Sequence, residues 1–182
     1  AVVLNAGDGN HAHPTQALLD ALTIRDRHPD FSRLKVTLCG DIRHSRVARS
    51  DIHMLTALGA GEIRLSGPAA LLPTADEFPN CQIIGDFDEA LADSDVLIML
   101  RLQRERMTEA LINDEAEYFR RFGLTAERLR RAAPEALVMH PGPMNRGVEI
   151  AAEVAALPRS VILDQVRNGV AVRMAVLYLL LG

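Results

Sequence analysis

The sequence predicts an α/β fold: a doubly wound parallel sheet with helices on both faces, stacked as a three-layer sandwich. Three observations carry this. Short β-rich apolar runs alternate along the chain with segments whose apolar residues recur at helical spacing. Several of the runs are apolar throughout, as expected of strands buried on both faces. No internal repeat or low-complexity linker interrupts the alternation, and 182 residues suit one domain with a full core.

The first element is an apolar run, Ala1-Val2-Val3-Leu4, leading through Asn5-Ala6-Gly7-Asp8-Gly9-Asn10-His11-Ala12-His13 into a helix that begins at Pro14. This reads as a strand-to-helix turn. Proline suits the first helical position because its missing N–H would have no intrahelical partner there, which makes His13 the N-cap. The amides of Thr15, Gln16 and Ala17 should then face an anion or a polarised carbonyl, helped by the helix dipole. The same positive end disfavours imidazolium, so His13 should stay neutral and donate a hydrogen bond.

The helix should end in the polar stretch Arg25 to Pro29, and Leu34 to Gly40 should form a buried strand. A second helix follows over about Arg46 to Leu58, with Ala48, Ile52, Leu55 and Leu58 on one face and Gly59 ending it. Glu62 to Ser66 and Cys81 to Ile84 read as strands, Phe87 to Leu91 as a short helix, and Asp95 to Leu100 and Glu135 to Met139 as strands. The last segment, 161–182, is a helix with one apolar stripe at Ile162, Val166, Val170, Met174, Leu177 and Leu181. Val172, Val176, Leu179 and Leu180 make the other side apolar too, so it needs partners on both sides. The architecture is Rossmann-like, yet no G-x-G-x-x-G follows a strand, and Gly59-Ala60-Gly61 comes after a helix.

Composition narrows the function. The chain is 48% hydrophobic and 24% charged with a net charge of −4, which gives no reason to expect nucleic acid as a partner. Cys39 and Cys81 lie in apolar runs without ligand spacing, the pattern of buried thiols in a reducing cytoplasm. His11 and His13 could share a metal, but no neighbouring residue completes a ligand set, so no metal is expected. No signal-peptide pattern opens the chain, and the apolar tail from Val170 to Leu181 is too short to span a bilayer, so no membrane partner is expected.

In open parallel sheets ligands gather at the carboxyl ends of the strands. The loops after Asn5, Gly40, Leu100 and Met139 leave from there. The second loop, Asp41 to Arg46, is strongly cationic at a helix start, where cations are disfavoured unless an anion is to be bound. Arg46 is its functional candidate, and Arg43 reads as solvated. Arg101 and Gln103 point the same way if the chain is extended. Two arginines from different loops match the two carboxylates of a small dicarboxylic acid. Arg104 and Arg106, beside Glu105, read as a salt-bridged surface. In His140-Pro141-Gly142-Pro143 the prolines fix the direction of carbonyls that could accept from an amine or amide.

His-Pro-x-Gln-x-Leu-x-Asp at His13 to Asp20, Arg-x-Gln-x-Glu-Arg at Arg101 to Arg106 and His-Pro-Gly-Pro-x-Asn-Arg-Gly at His140 to Gly147 resemble the aspartate and ornithine carbamoyltransferases in order and spacing, and the aspartate branch in particular. The resemblance runs almost from end to end. It implies that His13 and Gln16 contact carbamoyl phosphate, that Gly142 and Pro143 offer carbonyls to its amino group, and that Arg46, Arg101 and Gln103 hold L-aspartate. His13 would be catalytic and no cofactor is implied. The implied reaction gives N-carbamoyl-L-aspartate and phosphate in pyrimidine biosynthesis, by a cytoplasmic homotrimeric enzyme open to further pathway subunits. The alternatives are an ornithine-type or other carbamoyltransferase, or a non-catalytic homologue that scaffolds an assembly. The family's Ser-x-Arg-Thr-Arg phosphate motif is missing from this sequence. The expectation is therefore a single aspartate-binding domain, inactive alone, whose final helix packs on a separate carbamoyl-phosphate domain.

Overall fold

The computed structural model describes residues 2–102 and 115–182. Its centre is a five-stranded, all-parallel sheet in the order β3-β2-β1-β4-β5, formed by β1 (Lys35–Cys39), β2 (Glu62–Ser66), β3 (Gln82–Ile83), β4 (Val96–Met99) and β5 (Leu137–Met139). Every one of these strands falls inside a run expected from sequence.

Alternation along the strands divides the core in two. Val36, Leu38, Val96 and Ile98 point to one face, where they meet Ile24 of α1 (Pro14–Arg25) and Ile52 and Leu55 of α2 (Arg46–Ala57). Cys39, Leu97 and Met99 point to the other. There they meet Phe87 of α3 (Phe87–Ala90), Tyr118 and Phe122 of α4 (Glu115–Phe122), Leu129 of α5 (Ala126–Leu129) and Val154 of α6 (Ala152–Ala155). The two apolar faces explain why β4 reads as apolar throughout. The long α7 (Ile162–Leu181) packs on α1, tied by Asn168 Nδ2 donating to Thr23 Oγ1 at 3.0 Å and by an Arg27–Asp164 ion pair at 3.3 Å.

Strand order reverses direction at β1, so the crevice between the carboxyl ends of β1 and β4 is the place where such sheets hold ligands. Gly40 closes β1 there with φ +132°, and a Cβ on it would lie 2.8 Å from the Leu100 carbonyl oxygen, a rigid backbone atom. Gly40→Ala is therefore expected to cost about 1–3 kcal/mol or more, since backbone strain and a backbone clash coincide. A denaturant melt with an unchanged midpoint would contradict that.

Three expectations need correction, and one segment holds helices that were not expected. Residues 2–5 form no strand: Val2 and Val3 are exposed, and the outer edge of β5 is already taken by Arg159–Val161, with Val138 N–H donating to the Arg159 carbonyl and Val161 N–H to the Val138 carbonyl, each at 2.9 Å. Leu58 is exposed, because the helix ends at Ala57 and Leu58 caps it before Gly59 (φ +72°). Cys81 is only half-buried beside the exposed edge strand β3, whereas Cys39 is buried. The segment between β4 and β5 carries α4 and α5, which no periodicity had pointed to.

α7 confirms the helix but not a two-sided burial. Only Ile162, Gln165 and Gly169 are buried, while Val166, Val170, Met174, Leu177 and Leu181 of the expected stripe are exposed. Among the described residues no helix is long and apolar enough to cross a membrane.

Candidate functional site

The loops at the carboxyl end of the sheet enclose a cavity of about 200 Å³ lined by His13, Gln16, Ser45, Arg46, Leu100, Arg101, Gly142 and Pro143, with Val47 and Pro141. It joins the residues singled out from four separate loops. Gln103 lies outside the described residues. A larger cavity of about 540 Å³ sits at the opposite, amino end of β5, lined by Arg27, His28, Glu135 and Arg159 among others. Position in the fold favours the smaller one as the site.

His13 is the N-cap of α1 with Pro14 behind it, as expected. Its backbone N–H donates to Ser50 Oγ of α2 at 2.8 Å, which ties the head of α1 to α2. The imidazole Nδ1 is buried and has no hydrogen-bond partner among the described residues. Burial, followed by the nearby charges of Arg46 and Arg173, holds its pKa below the ordinary imidazole value. Burial and these two cations favour the neutral ring. The amides fall short of the expectation: both Gln16 N–H (3.0 Å) and Ala17 N–H (3.3 Å) donate to the His13 carbonyl and are not aimed at a ligand.

Gln16 is also held from below. Its Nε2 donates to both carboxylate oxygens of Asp20 at 3.2 Å, on the same face one turn away. The side chain is buried, so it meets the cavity as part of its floor.

Arg46 opens α2, after Ser45 whose Oγ accepts from the Ala48 N–H at 3.1 Å. Its guanidinium lies over Gly7, where a Cβ would come within 3.0 Å of the Arg46 Cζ. Gly7 has φ +115°, so only glycine gives both the turn and the room. The loop before α1 is closed by Asp8, which accepts from the Ala12 N–H at 2.8 Å while Asp8 N–H donates to the Ala12 carbonyl. In the cationic loop, buried Asp41 bonds His44 Nδ1 at 2.9 Å, and Arg43 is exposed.

Arg101 follows β4, and its neighbour Leu102 is anchored by donating its N–H to Glu149 Oε1 at 3.0 Å. The same buried carboxylate accepts from the Asn145 N–H at 2.8 Å and from Asn145 Nδ2 at 2.8 Å. Glu149 therefore ties the loop carrying Arg101 to the loop carrying Gly142 and Pro143. Burial pushes the Glu149 pKa up, and these hydrogen bonds pull it back.

The last loop is set by His140. Its buried ring accepts the Gly142 N–H on Nδ1 at 2.9 Å, and its backbone N–H donates to Gln165 Oε1 of α7 at 2.9 Å. The ring must be neutral to accept, and burial, then the charge of Arg101, lowers its pKa to about 4. The peptide bond between Gly142 and Pro143 is cis. Sequence reasoning missed Ser50, His140, Glu149 and Gln165 as positioning residues. A charged residue between two apolar ones, as in Val148-Glu149-Ile150, was the available sign for Glu149.

The arrangement sets neutral hydrogen-bonding groups and two guanidinium groups around a small polar cavity, a chemistry suited to small anions. Comparison with known proteins agrees with it. Residues 32–180 match the family described as aspartate/ornithine carbamoyltransferase, Asp/Orn binding domain. Aspartate transcarbamoylase from Trypanosoma cruzi, solved with phosphate, is 33% identical over 96% of this chain and 59% of its own, with a TM-score of 0.81. Ornithine carbamoyltransferase from Pyrococcus furiosus is 27% identical over 92% of this chain and 56% of its own, with a TM-score of 0.80. That from Thermus thermophilus is 27% identical over 95% of this chain and 57% of its own, with a TM-score of 0.81. The chain thus spans less than two thirds of the length of these structures. Its fold, its strand-end loops and these matches agree: the chain belongs to the aspartate/ornithine carbamoyltransferase family, as its aspartate/ornithine-binding domain.

Proposed function

We propose that this chain is the aspartate-binding half of an aspartate carbamoyltransferase, which transfers the carbamoyl group of carbamoyl phosphate to L-aspartate and releases phosphate, a step of pyrimidine biosynthesis in the cytoplasm. The observation that carries the reading is the convergence of Arg46 and Arg101 with His13, Gln16, Gly142 and Pro143 on one cavity. Two guanidinium groups complement two carboxylates. Ornithine would bring an ammonium instead, which they would repel.

In the reaction the aspartate amine attacks the carbonyl carbon, the carbon–oxygen bond to phosphate breaks, and the proton lost by the amine leaves with the phosphate. No group on this chain need become covalently attached. Neutral His13 donates a hydrogen bond to the carbonyl oxygen as negative charge develops on it. The carbonyls of the Gly142–Pro143 loop accept from the carbamoyl amino group. Gln103 joins the arginines on aspartate. Holding two anions together in reacting geometry supplies roughly 7–11 kcal/mol in well-oriented systems, against about 3–4 for one oxyanion donor, so positioning is the larger contribution.

The phosphate has little to hold it here, because the Gln16 and Ala17 amides are committed to His13. A separate carbamoyl-phosphate domain supplies that contact, and the exposed apolar side of α7 from Val166 to Leu181 is where it packs. The chain by itself is accordingly inactive. The full enzyme is a homotrimer of catalytic subunits, open to further pathway subunits.

Chemical-shift titration of this chain tests the substrate choice. L-aspartate should perturb the Arg46 and Arg101 side chains with a dissociation constant on the order of millimolar, and ornithine should not. Ornithine binding at the same residues would assign the domain to the other branch.

A further inference from the structure

Beneath the cavity two carboxyl groups that the reaction does not use lie together in the interior. Asp20 of α1 and Asp51 of α2 are both fully buried and face each other at hydrogen-bonding reach. Two carboxylates side by side in a low-dielectric interior cannot both stay ionised. Their other contacts are unequal. Asp20 accepts from Gln16 Nε2 on both oxygens at 3.2 Å and from Gln165 Nε2 at 2.6 Å. Neither oxygen of Asp51 has any hydrogen-bond donor directed at it among the described residues. A group that accepts from two amides belongs to the anion, and one that accepts nothing belongs to the acid.

We propose that Asp51 is the neutral partner, donating its proton to an anionic Asp20, and that this proton-sharing pair is the device that positions Gln16 and the His140–Pro143 loop. The connection to the loop runs through Gln165, whose Nε2 donates to Asp20 while its Oε1 accepts the His140 N–H at 2.9 Å. Each partner has one role only, so the amide has one orientation. Asp20 thereby fixes the floor of the cavity on α1 and, through α7, the histidine that orients Gly142.

The surroundings agree with one retained negative charge. Arg173 of α7 is the cation whose charge acts on Asp20, favouring its ionised form. His13 at the head of α1 and His140 beyond Gln165 are held neutral by burial, and Arg46 of α2 acts on His13. Burial pushes both carboxyl pKa values up, and Asp51 is raised further by the adjacent Asp20.

The sign of the linkage follows. A carboxyl whose folded pKa is raised holds a proton that the unfolded chain has released, so its contribution to stability is complete below the unfolded carboxylate range and is lost as pH rises toward the folded pKa. Near neutral pH, well above the ordinary carboxylate range, unfolding of this chain should release about one proton on account of Asp51. Asp51→Asn keeps a donor toward Asp20 and has no proton to release, so its unfolding constant should depend on pH with a slope lower by about one, while exchange of the His140 amide stays slow. Asp20→Asn turns an amide toward the two glutamine amides and should speed that exchange at least tenfold.

Carbon-13 NMR of the unmodified chain labelled at its aspartate carboxyl carbons gives a reading independent of any variant. At least one aspartate should keep a protonated-acid shift at pH 7, far above the ordinary carboxylate range. Uniformly ionised aspartates at pH 7, or equal proton release from Asp51→Asn and the parent chain, would overturn the proposal. No substrate enters either measurement, so their failure and that of the proposed function are distinguishable.

Discussion

Replacing Arg101 by alanine in the complete enzyme is expected to raise the aspartate concentration needed for half-saturation by about 10- to 100-fold, since hydrogen bonds to charged groups are worth roughly 1.5–3 kcal/mol. Dependence on carbamoyl phosphate should change little. Arg101 leaves the end of β4, and Glu149 anchors the adjacent Leu102 amide, so truncating the side chain removes a carboxylate partner and leaves the loop held. The asymmetry between substrates is the informative part. A general disturbance of the site would weaken both, whereas loss of one guanidinium weakens only the ligand whose carboxylate it meets. Steady-state kinetics with unchanged aspartate dependence would remove Arg101 from the site.

The second large effect belongs to His13. It lines the cavity, its backbone is tied to Ser50, burial and nearby cations lower its pKa, and its Nδ1 has no partner among the described residues. His13→Ala should lower turnover by about 10²–10³, the loss found when one donor to a developing oxyanion is removed. Substrate affinities should move much less, because the bond strengthens only as charge develops. The pH profile carries a sign as well. Burial and the charges of Arg46 and Arg173 depress the His13 pKa, so the neutral donor persists to lower pH than in an ordinary imidazole, and the activity due to His13 should decline at a pH below the ordinary imidazole pKa. A variant with full turnover and poor affinity would make His13 a positioning residue.

Much of this architecture is legible in the sequence because it depends on local chemistry. Pro14 behind His13 marks the start of α1, Ser45 before Arg46 marks that of α2, and the apolar runs mark each strand of the sheet. The candidate residues could be collected because each follows a strand or opens a helix, and a parallel sheet brings those ends together. What could not be read depends on distant partners. Gln165 meets Asp20 across 145 positions and His140 across 25, and Leu102 meets Glu149 across 47. Periodicity assigns a face to a residue but not a partner on another element, so Asp20 and Asp51 look like ordinary polar positions on amphipathic helices. The opening Ala1-Val2-Val3-Leu4 misled for the converse reason. Its composition suits a strand, but a strand also needs an unoccupied sheet edge, and Arg159–Val161 already covers that of β5.

The exposed apolar side of α7 and the polar cavity are the two observations behind the proposed second domain. One leaves an apolar helix side exposed, and the other gathers two arginines while the Gln16 and Ala17 amides donate to the His13 carbonyl. The central claim is that this chain supplies the aspartate half of a site that a carbamoyl-phosphate domain completes. The measurement that bears on it most directly is product formation when the chain is mixed with such a domain, supplied as a separate polypeptide, in the presence of carbamoyl phosphate and either aspartate or ornithine. The account predicts N-carbamoyl-L-aspartate from the mixture, none from either chain alone, and no carbamoylated ornithine. Carbamoylation of ornithine by the mixture, or of aspartate by this chain unaided, would contradict it.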